Sequence, residues 1–580
     1  MLCLVAVAAR ADDPPGGHSA QTFPEWWSTP GSAGWRPQAS LAGGTPWTFA
    51  GLTAGAWQLY DPLAPAQRPS PGIAEAQAPL AWYDSAAVAI GQGAAWRGFG
   101  AGLVTARGIL KPLDGGNPRA MFTSVTGTDG IDRNGVLLAR GDASRSLRVG
   151  AIADQRGGFG ALDVAGDHLW MISTARQFGA HAFDVSFAQR GMGESQAVGQ
   201  AETGRGQSGS AGWTWQDYRD SVGVRWSRGF DLRTVELHAI EGAGNVLVSA
   251  QRQSSERTLE FAAERRQGPR AFSLRIADDA GHVSRLEDYG NGGVLTPTWD
   301  THTTWVAARD VRPLGEGTLE TALGAGHDGT FVSESDRNVV APSLLWHVDE
   351  SRQRVRLYFE RVLDPVWSDL AAGGAPFLQH TWTGGFGVDA GTAPGARSSA
   401  SLDLVAGHTR NRALAFRLPI RTSSLEVGTT ADAHAYDFLL LQSSAKARWS
   451  GLAFDASGYA LARGRSPSQP RVDPALGGRV GVGGGFRAFA NDLGVRLRLE
   501  AAYVGARESD TGLTESEVLP GYGTLSASTT LTLGDATIVV RGEDLEGVRH
   551  TLTWIDYTTG ALALDGGRTL RAEVSWPLFN

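Results

Sequence analysis

One cysteine, Cys3, is all the thiol chemistry of this 580-residue chain, and it lies among the first eleven residues. If that stretch is removed, neither a disulfide framework nor a Cys-ligated metal site can be built. A run of about 18 apolar residues is also missing, which excludes a membrane-spanning helix. There is no basic excess: 52 Lys and Arg face 60 Asp and Glu, net −8, which argues against nucleic acid as a partner. Lysine is nearly absent, with only Lys111 and Lys446, and reads as genome composition rather than chemistry. Catalytic motifs are scarce. No Gly-x-Ser-x-Gly elbow occurs, and the 12 histidines show no metal-ligand spacing. Gly98-Phe-Gly-Ala-Gly102 lacks the strand context of a phosphate loop and reads as a turn. Arg140-Gly-Asp142 reads as an incidental tripeptide. The expectation is a non-enzyme without cofactor or metal.

What the chain does hold is glycine, 77 residues, and tryptophan, 19. Residues 1–11 resemble the tail of a secretory signal: a short apolar core, then Ala9-Arg10-Ala11, an A-x-A cleavage pattern, then Asp12 and Asp13. Residues 12–118 carry 13 of the 26 prolines. Proline fixes φ and removes a ladder donor, so this fifth of the chain cannot be mostly central strand. Beyond residue 119 the prolines thin out into connections. A boundary near 118 follows, with a plug-like or lumen-filling segment at 12–118 and a second unit at 119–580.

The second unit alternates. Leu570, Ala572, Val574, Trp576 and Leu578 fall on one face of a period-two strand, with Arg571, Glu573 and Ser575 on the other. Val355, Leu357 and Phe359 oppose Arg356, Tyr358 and Glu360. Val222, Val224 and Trp226 oppose Gly223, Arg225 and Ser227, and Leu497 and Leu499 oppose Arg498 and Glu500. Such one-faced strands suit a soluble sheet with one wet face as well. Here they persist over the whole second unit, and lipid outside a polar lumen buries all their apolar faces at once. Connections alternate in length too. Read backward from the C-terminus, 545–567, 508–521 and 465–476 are long, while 534–535, 491–492 and 449–451 are short. Outer-membrane barrels have tight periplasmic turns and longer external loops, and 545–567 would then be external. Closed bacterial barrels prefer even strand numbers. The reading is all-β: a large transmembrane antiparallel β-barrel of about 22 strands with a short, proline-rich N-terminal plug-like segment.

The last sixty residues resemble the C-terminal hairpins of TonB-dependent receptors. The residues concerned are Gly523-Thr-Leu-Ser-Ala, Gly534-Asp-Ala-Thr-Ile-Val-Val-Arg-Gly-Glu-Asp-Leu545 and Arg568-Thr-Leu-Arg-Ala-Glu-Val-Ser-Trp576. Gly91-Gln-Gly-Ala-Ala-Trp-Arg-Gly-Phe-Gly-Ala-Gly-Leu-Val-Thr105 is similar to the end of that family's plug. The resemblance implies the bacterial outer membrane as location, outer-membrane lipids and the barrel-assembly machinery as partners, and a TonB-type energy-coupling protein as a further one. It implies Trp576 and Phe579 as the terminal aromatics that the assembly machinery reads. No energy-coupling box is legible after Asp12, so energised and passive transport both stay open.

Three functions remain. One is a gated transporter of a scarce small ligand, one a passive porin-type channel, one a structural barrel that transports nothing. Ligand-binding residues are not legible. Trp305, Trp346, Trp382, Trp449 and Trp554 are candidates for interfacial girdles, though lumen or loop positions suit several of them equally.

Overall fold

The computed structural model describes residues 118–128, 130–142, 144–156, 162–164, 167–197, 200–238, 247–288, 294–295, 298–329, 337–350, 353–366, 377–391, 397–410, 412–416, 428–432, 436–464, 474–508, 518–555, 562–564 and 567–579. Before them it describes 36–37, 47–49, 52–53, 57–61, 64–69, 82–90, 94–99, 104–110 and 113. The signal-like residues 1–11 lie outside these.

Twenty-two staves close into one antiparallel barrel. They are β1 (Arg119–Gly127), β2 (Ile131–Asp142), β3 (Arg145–Arg156), β4 (Asp167–Phe178), β5 (His181–Ala197), β6 (Gln200–Gln216), β7 (Asp220–His238) and β8 (Leu247–Gln267). Next come β9 (Arg270–Asp288), β10 (Thr298–Leu314), β11 (Gly317–Asp328), β12 (Asn338–Asp349), β13 (Gln353–Val366), β14 (Phe377–Ala390) and β15 (Ser398–Arg410). The last are β16 (Tyr436–Trp449), β17 (Leu452–Arg463), β18 (Leu476–Ala488), β19 (Leu493–Val504), β20 (Tyr522–Leu533), β21 (Ala536–Glu543) and β22 (Thr569–Phe579). Closure is made by β22 on β1, with Trp576 opposite Phe122 and Glu573 opposite Val125. No edge is left, which is what hydrocarbon demands of a sheet.

The side chains are arranged inside out. On β13, Leu357 and Phe359 point outward and are each 49% exposed, while Arg356, Tyr358 and Glu360 between them are buried. On β22, Leu570, Trp576 and Leu578 face outward, and Glu573 and Ser575 are buried within. Val136, Leu138, Ile172, Val224, Leu402, Leu404, Leu497 and Leu499 continue the outer apolar belt. A water-soluble protein would pay for such a surface; a lipid-facing one is stabilised by it. Among the described residues no helix is long and apolar enough to cross a membrane.

The two ends of the barrel differ. At the end that holds the C-terminus, two-residue turns join β4 to β5, β8 to β9, β10 to β11, β16 to β17 and β20 to β21. At Gly179 the turn needs φ +58°, a hairpin geometry that side chains resist. The opposite end carries the long connections, the longest between β15 and β16 and between β21 and β22. Staves β5 to β10 run 17 to 21 residues, against 8 to 14 for most others. At ~3.3 Å per residue and a tilt of ~40°, this wall rises roughly 15 Å above the rest on the long-loop side.

The N-terminal part contains a four-stranded sheet in the order Ala64–Pro69, Trp57–Asp61, Val104–Leu110, Tyr83–Ile90. Its central pair is parallel and the other two pairs are antiparallel. Ala64–Pro69, which contains two prolines, takes an edge, where a missing ladder donor costs least. One short helix, α1 (Ala94–Arg97), precedes the strand Val104–Leu110.

Candidate functional site: a seat in the lumen wall

α1 is held against the inner face of β9 to β13. The wall there is lined with small residues: Ala277 on β9, Ala307 on β10, Ala322, Gly324 and Gly326 on β11, and Ala341 on β12. Trp305 of β10 lies among them, 2% exposed, against the fully buried Ala95. Both Gly324 and Gly326 are required by this packing. A Cβ on Gly324 would stand 2.2 Å from the Trp305 ring and 2.3 Å from the Ala95 carbonyl oxygen. Phe99 meets the Trp305 ring edge to face at 5.2 Å, a geometry worth ~0.5–1.5 kcal/mol beyond burial.

Polar groups of the wall then satisfy the backbone of α1 at each step. Glu360 Oε2 on β13 accepts from the Ala94 N–H at 3.1 Å. The Trp305 indole N–H donates to the Ala95 carbonyl at 3.0 Å. Arg275 on β9 donates to the carbonyls of Trp96 at 3.1 Å and Arg97 at 2.7 Å, while Glu260 on β8 grips its guanidinium at 3.0 and 3.1 Å. Gly98, with φ +93°, turns the chain and returns its N–H to the Ala94 carbonyl at 2.9 Å. Four residues too few to form a stable helix alone are thereby ordered by the barrel.

A second contact lies across the lumen. Trp82, 2% exposed, rests on β2 and β3 where Gly135 and Gly150 leave room; a Cβ on Gly150 would be 2.5 Å from its ring. The strand Ala64–Pro69 runs beside β5 and β6. The N-terminal segment is thus fastened to the inside of the wall at separate points around the barrel.

Elsewhere the inner wall carries charged pairs. Arg225 on β7 makes two 2.9 Å bonds to Asp184 on β5, both residues 4% exposed. Arg356 bridges Asp389 and Asp403, Arg498 holds Asp455 and Glu500, and Arg309 donates to Glu320 at 2.7 Å. Bidentate pairs of this kind suit a low-dielectric wall. Many of the large inward side chains lie flat over a glycine of the next stave. Arg225 covers Gly212, Arg356 Gly387, Tyr358 Gly385, Arg498 Gly481, Phe438 Gly407 and Tyr459 Gly477. Among the described residues no cluster of three metal-ligating side chains occurs.

The positions singled out in the sequence fall as follows. Trp576 faces outward in the belt, 50% exposed; Phe579 pairs by its backbone with Ala120, and its side chain lies outside the described set. Trp449 stands exposed at a tight turn, and Trp382 stacks on Phe359 with ring centres 5.5 Å apart. The Trp554 side chain is outside the described set. Trp305 departs from the girdle: it points into the lumen, because Val306 beside it takes the outward position. Asp142 is a turn fixture, accepting from Ser144 N at 2.8 Å and from its hydroxyl at 2.7 Å. The seat residues Arg275, Gly324, Gly326 and Glu360 were not singled out. A signal for the two glycines was the row of small inward residues on one stave, Ala322, Gly324 and Gly326; Arg275 and Glu360 carried none beyond their place on the polar face.

A 22-stave barrel, apolar without, with a folded N-terminal segment fastened inside, is the fold of the TonB-dependent receptors of the bacterial outer membrane. No protein-family model matches the sequence, and no curated protein does. Solved structures match across nearly the whole chain. The copper transporter OprC is 12% identical, over 97% of this chain and 96% of that one, at a TM-score of 0.73. The ferric yersiniabactin uptake receptor FyuA from Yersinia pestis is 13% identical over 92% and 91%, at 0.69. The ferric citrate transporter FecA, in its unliganded form, is 13% identical over 97% and 95%, also at 0.69. At these identities the likeness is one of fold.

Proposed function

We propose that the chain is a gated outer-membrane transporter of the TonB-dependent-receptor type, with residues 12–118 as its plug and residues 119–580 as its barrel. The plug closes the lumen, and a scarce small ligand is captured at the long-loop end. Metal chelates and copper, carried by the similar structures named above, are the ligand class to test first. A TonB-type protein on the turn side would supply the energy. The observation that carries this reading is the seat itself: α1 and Trp82 are fastened to opposite parts of the inner wall. A passive porin needs an open bore, and a purely structural barrel has no use for a separately folded insert bound by side-chain contacts.

Planar-bilayer recording tests it. The intact protein is expected to conduct little, and deletion of residues 12–118 is expected to open a large, stable conductance. A large conductance from the intact protein would favour the porin. Low conductance both before and after deletion would mean that loops fill the lumen, and would favour the structural barrel.

A further inference from the structure

The outward face of β7 and β8 is bounded at both edges by charge, and the two edges are unlike. Toward the turn end, Asp220 on β7 and Arg265 on β8 are cross-strand partners and form an ion pair at 3.4 Å. Eight residues further up each stave, Arg228 and Arg257 are cross-strand partners in the same register, both outward and both exposed. Between the edges, Val222, Val224 and Trp226 stand opposite Ala263, Phe261 and Leu259. At ~3.3 Å per residue and a tilt of ~40°, this apolar interval is roughly 20 Å high, near the ~25 Å band of an outer-membrane barrel. Arg228 and Arg257 therefore stand where hydrocarbon gives way to headgroups, on the side of the long loops.

Like charges directly opposite on a sheet repel. Among the described residues neither guanidinium takes part in a hydrogen bond or an ion pair. The carboxylate diagonal to Arg257, Asp278 on β9, is held by His302 Nε2 at 2.9 Å and accepts from the Thr304 hydroxyl at 3.1 Å. Glu256 and Glu260 of β8 alternate to the lumen side. In the same row the pair is flanked by Gly209 on β6 and Ala280 on β9, so the floor beside it is level. A phosphomonoester matches two such arginines. It carries a charge of ~−1.5 to −2 at pH 7, and guanidinium groups bind phosphate oxygens in bidentate fashion. The phosphodiester of a glycerophospholipid carries a single negative charge and would leave one guanidinium uncompensated.

We propose that Arg228 and Arg257 form a binding site for a phosphomonoester on the saccharide headgroup of a glycolipid in the external leaflet. The phosphate lies between the two guanidinium groups, and the saccharide rests over Gly209 and Ala280. The acyl chains run down the face of Trp226, Leu259 and Phe261. The inference rests on the outer-membrane location with the long loops external, and is independent of what the lumen transports.

The test uses the purified full chain in neutral detergent, titrated with diphosphoryl lipid A, with phosphatidylglycerol or with inorganic phosphate, and follows the temperature at which the heat-modifiable gel band is lost. Lipid A is expected to raise that temperature at a lower concentration than phosphatidylglycerol, and inorganic phosphate is expected to leave it unchanged. Arg228→Gln with Arg257→Gln is expected to move the half-effective lipid A concentration up roughly twenty-five-fold, since each surface arginine is worth about fivefold in anionic-lipid affinity. Arg265→Gln, at the opposite edge of the same staves, is expected to leave that concentration where it is. An unmoved lipid A concentration in the double variant would overturn the proposal. Phosphatidylglycerol acting at the same concentration as lipid A would do so too, as would a full response to inorganic phosphate alone. The heat-modifiable band without added lipid, read in every variant, shows separately whether the barrel reading holds.

Discussion

Replacing Trp305 with alanine removes the centre of the lumen seat while leaving the wall intact. The indole is almost fully buried, donates to the Ala95 carbonyl at 3.0 Å and holds Phe99 at 5.2 Å. Buried Trp-to-Ala changes cost about 3–5 kcal/mol in all, hydrogen bond included. None of the β10 ladder bonds to β9 and β11 passes through the side chain, so the loss falls on docking of α1 rather than on closure of the barrel. At about 1.4 kcal/mol per factor of ten, the ratio of docked to undocked α1 should fall by roughly a hundredfold to a few thousandfold. Amide hydrogen exchange in detergent reads this directly at Gly98, whose N–H is bonded to the Ala94 carbonyl only while α1 is formed. Protection at residues 94–99 should drop sharply in Trp305→Ala, with the stave amides of β10 unchanged. Trp305→Phe, which keeps the packing and loses one hydrogen bond, should cost only about 1 kcal/mol. Unchanged protection of Gly98 in Trp305→Ala would refute the claim that the wall orders this segment.

Two more outcomes are expected. Trp576→Ala with Phe579→Ala should lower the amount of folded protein in the outer membrane without lowering synthesis, measured by the heat-modifiable fraction; normal insertion would leave both as ordinary interfacial aromatics. Arg225→Leu should destabilise the barrel by about 3–5 kcal/mol, because it removes the two charge-assisted bonds that the buried Asp184 accepts from it, and Asp184→Leu added to it should recover much of that loss. Thermal melts of the single and double variants check this, and equal melting of both would show the pair to be solvated from the lumen.

Much of the barrel was legible because alternation is a local property. Leu357, Phe359 and Arg356 declare their faces from three neighbours, and the hairpins at 450–451 and 534–535 are written in adjacent residues. The seat was not legible in the same way. It joins residues 94–99 to 275, 305, 324 and 360, and only the closed register brings those staves side by side. Trp305 shows the difficulty. A tryptophan in an alternating strand suits a girdle or a lumen equally, and the choice depends on which face Val306 takes. Gly324 and Gly326 were hidden for a related reason: a missing side chain signals a recess only when the group that fills it is known. The boundary proposed near residue 118 rests on a local property of a different kind, since proline acts on its own backbone.

The glycines under the inward arginines and aromatics have a consequence for the dimensions of the passage. Arg225, Arg356, Tyr358, Arg498 and Tyr459 each lie in a shallow bed left by Gly212, Gly387, Gly385, Gly481 and Gly477. At these five places the inward side chains lie against the backbone and add little to the roughness of the wall. A methyl group at any one bed would lift a guanidinium or a phenol off the wall and turn it toward the axis, narrowing the way without altering a single stave pairing. The width of such a passage could be graded by alanine substitution at the glycines alone, one obstruction at a time, with the lipid-facing surface untouched.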